Sequence, residues 1–187
     1  QKIPEGWLTR YLQASYAARV SALSLNENLV AVSVTPTTAG KPATVGLEPS
    51  TSAIPLVSSV RTVSGGGARL SFRKRSDGTI EAKGSIGTRA GTRKYMYIVE
   101  DPPSFATGAF RNALVSRGIT VAGGISLGKT PATATKVASL LSPPLSTMLA
   151  AMNRESINHY AELFFRDAAR GPERDVVGSV PNASALM

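Results

Sequence analysis

The sequence predicts an α+β fold in which a strand-rich region over residues 1–140 precedes a helical region over residues 141–187. Two observations lead to this prediction. In the first region, apolar residues mostly alternate with polar ones, which is the period of a half-buried strand. In the second, they recur every three or four residues, which is the period of an amphipathic helix. The change of period marks a domain boundary, and the first region is long enough for one or two small lobes.

The composition excludes several classes of protein. The 187 residues include no cysteine, so no disulfide framework or thiolate metal site can form, and one histidine, His159, cannot hold a metal alone. We therefore expect neither metal nor cofactor. The apolar runs are far shorter than the ~20 residues of a membrane-spanning helix, so we expect no transmembrane segment. A net charge of +9 favours anionic partners, but the basic residues are dispersed with few aromatics between them, so no nucleic-acid binding is predicted.

Strand periodicity is confined to the first region. The predicted strands are residues 29–36, 43–47, 68–75, 79–87 and 93–100. Turn residues at Gly40–Pro42 and Asp77–Gly78 join the first four into two hairpins. Val30, Val32 and Val34 fall on one side of the first strand and predict its buried face.

The strand-rich region contains one stretch of helical periodicity after Asp101, where we expect a helix capped by Ser104 and ended by Gly118. Residues 119–127 predict a further strand, bent by paired glycines. Ser142 as a cap and Pro143 at the first position predict the start of the next helix. The apolar stripes of the three helices are Phe105, Ala109, Phe110, Ala113 and Leu114, then Leu145, Met148, Leu149 and Met152, then Tyr160, Ala161, Phe164, Phe165 and Ala168. Gly171–Pro172 ends the last of them, and residues 178–187 stop where another helix is expected to start.

The stretch GGISLGKT, residues 123–130, has the spacing of a phosphate-binding loop. Such a loop holds its anion at the mouth of a helix beside a parallel sheet, and several strand–helix units follow it. Here the short remainder of the chain is mostly helical, and Pro131 comes directly after the motif. We predict no nucleotide binding, and a glycine-bent strand with its exit turn instead.

Two matches to Ser-x-x-Lys, the pattern of acyl-serine enzymes, also fail on geometry. Residues i and i+3 share a face on a helix but point to opposite faces of a strand. Ser71 and Lys74 lie in an alternating strand, and Gly128 interrupts Ser126 to Lys129. Neither serine is expected to be a nucleophile.

Ser156 and Asn158 form a Ser-x-Asn motif between the last two predicted helices. Two residues apart on a helix would lie about 200° apart around its axis, so both can face one site only from a loop, where the periodicity places them. The simpler interpretation is that Ser156 only caps a helix. His159, next to the motif, is expected to be a packing or surface residue.

Longer stretches around this motif resemble the D-alanyl-D-alanine carboxypeptidase/endopeptidase family, the class C low-molecular-mass penicillin-binding proteins of the penicillin-binding protein 4 type. In that family a helix of similar sequence precedes Ser-x-Asn and Ala-Glu follows it, as in "SPPLSTMLAAMNRESINHYAE" here. The resemblance covers nearly the whole chain. Its other parts are "IPEGW" (residues 3–7), "VSALSLNENLVAVSVTPTTAGKPATVGLEP" (20–49) and "YIVEDPPSFATGAFRNALVSRGITVAGGI" (97–125). Ile157 departs from the Asp or Asn often found at that position.

The resemblance implies an exported periplasmic or cell-envelope hydrolase that cleaves D-Ala from peptidoglycan stem peptides through an acyl-serine and is acylated by β-lactam antibiotics. It also implies a penicillin-binding/transpeptidase-like fold, with residues 1–140 as a strand-rich insertion and residues 141–187 as part of the helical catalytic subdomain. Ser156 would relay protons, and Asn158 would orient substrate and the catalytic lysine by its amide.

Two of the family's three motifs are not found in these 187 residues. Lys-Thr-Gly does not occur, since Pro131 follows Lys129–Thr130, and no Ser-x-x-Lys lies on a predicted helix. We therefore expect a fragment cut at both ends and inactive by itself. The alternative is a non-catalytic module that binds peptidoglycan or a protein, with Ser156 and Asn158 in an inert loop. Exposure of both side chains in an open cleft favours the enzyme, and their burial favours the module.

Overall fold

The structure, a computed structural model, describes residues 17, 19–126, 128, 130–170 and 177–186. The chain divides into two compact units. The strand-rich unit is Leu23–Val121, and the helical unit contains the described residues outside that range. The division falls near residue 121, before the change of period at residue 140. The assignment of residues 1–140 to an insertion and of 141–187 to a catalytic subdomain stays a prediction.

The elements confirm the α+β class. The strands are β1 (Leu29–Thr35), β2 (Thr44–Glu48), β3 (Leu56–Val63), β4 (Ala68–Lys74), β5 (Ile80–Gly87) and β6 (Arg93–Ile98). The helices are α1 (Pro102–Val115), α2 (Leu145–Glu155), α3 (Asn158–Ala168) and α4 (Val180–Ser184), and a 3-10 turn covers Asn26–Asn28. Two three-stranded sheets have the orders β2-β1-β6 and β3-β5-β4.

The first sheet follows the predicted hairpin. β1 pairs antiparallel with β2 and with β6. Val30, Val32 and Val34 are at most 1% exposed, as the alternation predicts. A buried valine row stabilises the sheet because each fully buried side chain contributes about 1.5–3 kcal/mol of transfer free energy.

The second sheet contains a strand that the sequence analysis missed. β3 pairs in parallel with β5, which also forms the predicted antiparallel hairpin with β4. Ser58 and Ser59 interrupt the apolar alternation of β3, so only Val60 and Thr62 are fully buried there. The two sheets are joined through backbone bonds from Ala43 N to Val60 O (2.9 Å) and from Thr62 N to Lys41 O (2.8 Å).

The core of this unit lies between the sheets and α1. It contains Val30, Val32, Val34, Val60, Ile80, Ala82, Ile86, Val99 and Phe105. At its margin the Phe72 ring stacks against Tyr95, with ring centroids 4.7 Å apart. Burial raises the pKa of Tyr97, whose ring lies 6.0 Å from Phe72.

Helix α1 packs against the segment that follows β2. A Cβ on Gly108 would lie 2.6 Å from Thr51 Oγ1, so only glycine permits this close approach. The Thr51 hydroxyl donates to Phe105 O at 3.2 Å, which fixes the helix on the segment.

Three sequence predictions for residues 101–127 are wrong. The N-cap of α1 is Asp101 and not Ser104, because Pro102 and Pro103 suit the first helical turn. The Ser104 hydroxyl instead donates to Asp101 Oδ2 at 2.7 Å. Phe110 is 63% exposed and lies outside the core. Among the described residues of 119–127 there is no strand, and none of them pairs with a neighbouring strand. Gly118, at φ 79°, ends the helical turn as predicted.

Candidate functional site

Helix α2 brings the chain to the Ser-x-Asn motif. It begins at Leu145, so the prediction of Ser142 as its cap and Pro143 as its first residue is wrong. Ser142 and Pro143 each precede a proline, and the proline ring disfavours the helical conformation in the residue before it. Pro144 takes the N-cap position in an extended conformation.

Ser156 ends α2 in the left-handed conformation, with φ 54° and ψ 47°. Glycine is usual at such a position, since a Cβ makes left-handed backbone costly. The amides of Ser156 and Ile157 both donate to Met152 O, the second at 3.0 Å, so the turn is held by backbone bonds. No bond from the Ser156 side chain to the next helix is recorded, and Ile157 is the N-cap of α3. Ser156 therefore caps α2 at its C-terminus through its backbone amide, and it is not the N-cap of α3.

Asn158 is the first residue of α3, so its predicted place in a loop is wrong by one position. The break between the helices is only Ser156 and Ile157. The left-handed residue interrupts the helix, so the two motif residues need not keep the 200° relation that a continuous helix would impose. Ser156 and Asn158 both have exposed side chains.

His159 lies directly behind the motif and is 6% exposed. Neither ring nitrogen has a hydrogen-bond partner in the described part of the chain. Burial lowers the pKa of His159, because desolvation disfavours the imidazolium. The ring is therefore neutral at pH 7 and acts as a packing residue of α3.

The far end of α3 is held by a charged pair and by the segment before α4. Arg166 Nε lies 3.5 Å from Glu162 Oε2, one helical turn away. A Cβ on Gly178 would lie 2.6 Å from Arg166 O, so the chain passes close to the helix backbone there. Ser179 caps α4 by accepting the Asn182 amide at 3.3 Å. Residues 178–187, expected to precede a helix, thus contain one.

Several large apolar side chains are exposed in α2 and in the segment that precedes it. Val137, Leu140 and Leu141 are 96%, 97% and 90% exposed. In α2, no described residue is buried, and Leu145 and Leu149 remain exposed. Exposed apolar side chains in such number indicate an interaction face.

The interpretation of Ser71 and Lys74 is kept, whereas the glycine-bent strand predicted for GGISLGKT is wrong, since its described residues form no strand. Ser71 and Lys74 are three residues apart in β4, where i and i+3 point to opposite faces, and Lys74 Nζ pairs with Glu100 Oε1 at 3.5 Å. Lys129 of the second Ser-x-x-Lys and of GGISLGKT lies outside the described residues, as do residues 3–7 and Gly171–Pro172.

A cavity of about 280 Å³ in the strand-rich unit was not predicted. Its floor includes Ile80 and Phe105, and its rim carries Lys74, Glu100 and Asp101. These residues lie in two strands, a loop and α1, so no local pattern in the sequence could have indicated them. Ser156 and Asn158 do not line the cavity.

In the part of the chain that the structure describes, each helix is too short or too polar to span a membrane.

The sequence of the chain is similar to that of known D-Ala-D-Ala carboxypeptidases. The sequence model of the D-Ala-D-Ala carboxypeptidase 3 (S13) family matches residues 1–183. A D-alanyl-D-alanine carboxypeptidase from Actinomadura sp. (strain R39) is 29% identical over 177 residues, which are 89% of this chain and 33% of that protein.

Two solved structures of penicillin binding protein 4 from Haemophilus influenzae share the fold at 18% identity. The first superposes with a TM-score of 0.66 over 100% of this chain and 43% of the other. The second, a complex with a novel β-lactam, gives 0.57 over 88% and 39%. The chain thus spans less than half the length of each of these two proteins.

Proposed function

The chain belongs to the D-Ala-D-Ala carboxypeptidase 3 (S13) family, and we propose that it forms part of a serine-type D-Ala-D-Ala carboxypeptidase/endopeptidase that acts on peptidoglycan stem peptides. The observation that carries the proposal is the conformation of Ser156. A serine holds a left-handed position that glycine would fill at lower cost, and it is exposed two residues before the exposed Asn158. Backbone strain of this kind clusters at functional sites.

In the proposed reaction, the serine of a Ser-x-x-Lys motif attacks the carbonyl carbon of the bond before the last D-Ala. That bond breaks, the D-Ala amine leaves with a proton, and water then hydrolyses the acyl-serine ester. Ser156 passes the proton between the lysine base and the leaving amine, since a hydroxyl can accept one hydrogen bond while donating another. The Asn158 amide donates to the substrate and accepts from the lysine ammonium.

The 187 residues contain no Lys-Thr-Gly, and no Ser-x-x-Lys lies on a helix that the sequence predicts. We therefore propose that this polypeptide alone forms no acyl-enzyme, and that activity needs those two motifs from the rest of the catalytic domain. The exposed apolar face of Val137, Leu140, Leu141, Leu145 and Leu149 supports this, because a catalytic domain would cover it. β-Lactams, one of which is bound by the similar Haemophilus influenzae protein, would acylate the same serine.

We place the enzyme outside the cytoplasmic membrane, where peptidoglycan lies. The alternative remains a non-catalytic module that binds peptidoglycan or a protein. The 280 Å³ cavity of the strand-rich unit gives that alternative a concrete ligand site. The two functions differ in what they require of Ser156, because only the enzyme needs its hydroxyl.

The test is release of D-Ala from a stem pentapeptide by the protein as its gene encodes it. We expect D-Ala to accumulate with the D-Ala-D-Ala peptide and not with a matched peptide that ends in L-Ala. The 187-residue chain alone should release none. A gene product that binds the peptide but never cleaves it would contradict the enzyme and support the module.

A further inference from the structure

The outer face of the β3-β5-β4 sheet is polar, basic and exposed. Alternation along each strand turns Val60 and Ile86 towards the core and turns their neighbours outward. The outward residues are Val57, Ser59, Arg61 and Val63 of β3, Glu81, Lys83 and Ser85 of β5, and Arg69, Ser71 and Arg73 of β4. We call these ten residues the basic face.

The strand register arranges the basic face in rows. Ser85 is opposite both Arg61 and Arg69, so two arginines flank one serine. In the next row, Ser59 and Ser71 flank Lys83 in the same way. Since neighbouring strands lie about 4.8 Å apart, the Cα atoms of the two arginines are roughly 10 Å from each other. Cationic groups and hydroxyls thus alternate in the two rows.

The charges of this face do not cancel. Glu81 is its one carboxylate, and it already pairs with Arg75 and Lys83, each at 3.0 Å. These two cations lower the pKa of Glu81, with Lys83 as the larger cause. No ion pair is recorded for Arg61, Arg69 or Arg73 within the described ranges, and all three are exposed.

We propose that the basic face binds a linear polymer of phosphodiester groups. The guanidinium fork matches two oxygens of a phosphate, and a serine hydroxyl between two arginines can donate to the same group. The cations are spread along rows on an open surface instead of converging in a pocket, which suits successive charges of a chain better than one small anion. This site lies in the strand-rich unit and does not depend on the roles of Ser156 and Asn158.

A nucleic acid is the less favoured polyanion. Binding of single strands uses aromatic side chains on which bases stack. The basic face has none, since Phe72 points to the opposite side of β4 and packs on Tyr95 and Tyr97. The surface therefore offers contacts to a backbone of phosphates but none to bases.

Binding of fluorescent poly(glycerol phosphate) to the whole chain, measured by anisotropy at about 150 mM salt, tests the proposal. The double variant Arg61→Gln/Arg69→Gln should bind at least about tenfold more weakly, because it loses two charge-assisted contacts. The control Arg93→Gln/Arg117→Gln removes the same charge from exposed residues outside this sheet and should change the affinity less than about twofold. Thermal unfolding should show that both variants remain folded.

Three outcomes would overturn the proposal. They are absence of binding by the unmodified chain, equal losses in both double variants, and displacement of the polymer by a single-stranded RNA at equal or lower phosphate concentration. Equal losses would mean that only net charge matters. Displacement by RNA would make a nucleic acid the occupant. Selective loss in Arg61→Gln/Arg69→Gln, with RNA the weaker competitor, supports the site.

Discussion

Ser156 and Asn158 lie on the two sides of a two-residue break between helices, Ser156 ending α2 at φ 54° and Asn158 beginning α3. Both side chains are exposed, and the buried ring of His159 lies next to them in the chain. The backbone therefore presents a hydroxyl and an amide at one turn, at a conformational cost carried by the serine. The backbone conformation of Ser156 therefore affects stability, whereas its proposed chemical role depends on the side-chain hydroxyl, and the two can be tested separately.

Ser156→Gly should stabilise the chain, because glycine adopts left-handed backbone without a Cβ penalty. We expect a gain of about 0.5–1 kcal/mol in the free energy of unfolding, measured by urea denaturation. Ser156→Ala keeps the Cβ and should give no gain. A loss of stability in the glycine variant would show that the serine hydroxyl holds the turn.

The stability of the helical unit should fall on mild acidification because of His159. Burial lowers its folded-state pKa below the ordinary value of 6.5, so the unfolded state binds the proton more readily. The stability from the neutral ring is complete above pH 6.5 and is lost as the pH falls from there towards the folded-state pKa.

The check is the unfolding temperature at about pH 7.5 and about pH 5.5, with His159→Leu as the variant that cannot titrate. The loss between the two pH values should be smaller in the variant. The lowered pKa values of Glu48, Asp77 and Glu81 act below this window, since the ordinary values of these carboxyls are 4.5, 3.8 and 4.5. Identical losses in both proteins would exclude His159 as the cause.

Gly84→Ala should strongly destabilise the second sheet. Gly84 has φ 119° in the central strand β5, and a Cβ there would collide with the backbone oxygen of Arg69. We expect a cost of about 3 kcal/mol, seen in denaturant unfolding. Gly66→Ala is the control, since its Cβ would meet no atom within 4 Å, and it should change stability by less than about 0.5 kcal/mol. Similar effects of the two substitutions would contradict this packing.

Two phenylalanines of α1 provide a matched test of the core. Phe105 is fully buried, whereas Phe110 is 63% exposed. Phe105→Ala should cost about 3–5 kcal/mol because it opens a cavity, and Phe110→Ala should cost less than about 1 kcal/mol. Thermal unfolding of both variants is sufficient. A larger effect at Phe110 would mean that the helix packs through its other face.

The parts of the fold that the sequence predicted are those with local signals. Val30, Val32 and Val34 alternate in one short strand, and Asp77–Gly78 marks a tight turn between β4 and β5. The parallel pairing of β3 with β5 depends on residues distant in sequence, so no periodicity indicates it. The strand order and register of the basic face depend on this pairing, so the sequence did not predict them either.

The candidate site was predicted from the Ser-x-Asn motif and the family resemblance around it, but its backbone conformation was not predicted. The N-cap of α3 is Ile157, whose side chain cannot accept a hydrogen bond, so no capping signal in the sequence indicates that the helix begins at Asn158. The left-handed conformation of Ser156 was also hidden, since glycine or asparagine is the usual signal of it. The start of α4 did carry a signal, because Ser179 with Pro181 two residues later is typical of a helix N-terminus.

The most direct test of the proposed active site is the rate of acylation by a labelled penicillin in the protein as its gene encodes it. Ser156→Ala and Asn158→Ala should each lower the second-order rate constant by about 100-fold or more, since each removes a group that moves or directs a proton. The control Ser146→Ala makes the same change at an exposed position of α2 and should leave the rate within about twofold. Unchanged acylation in folded Ser156→Ala and Asn158→Ala proteins would contradict the assignment of the two residues.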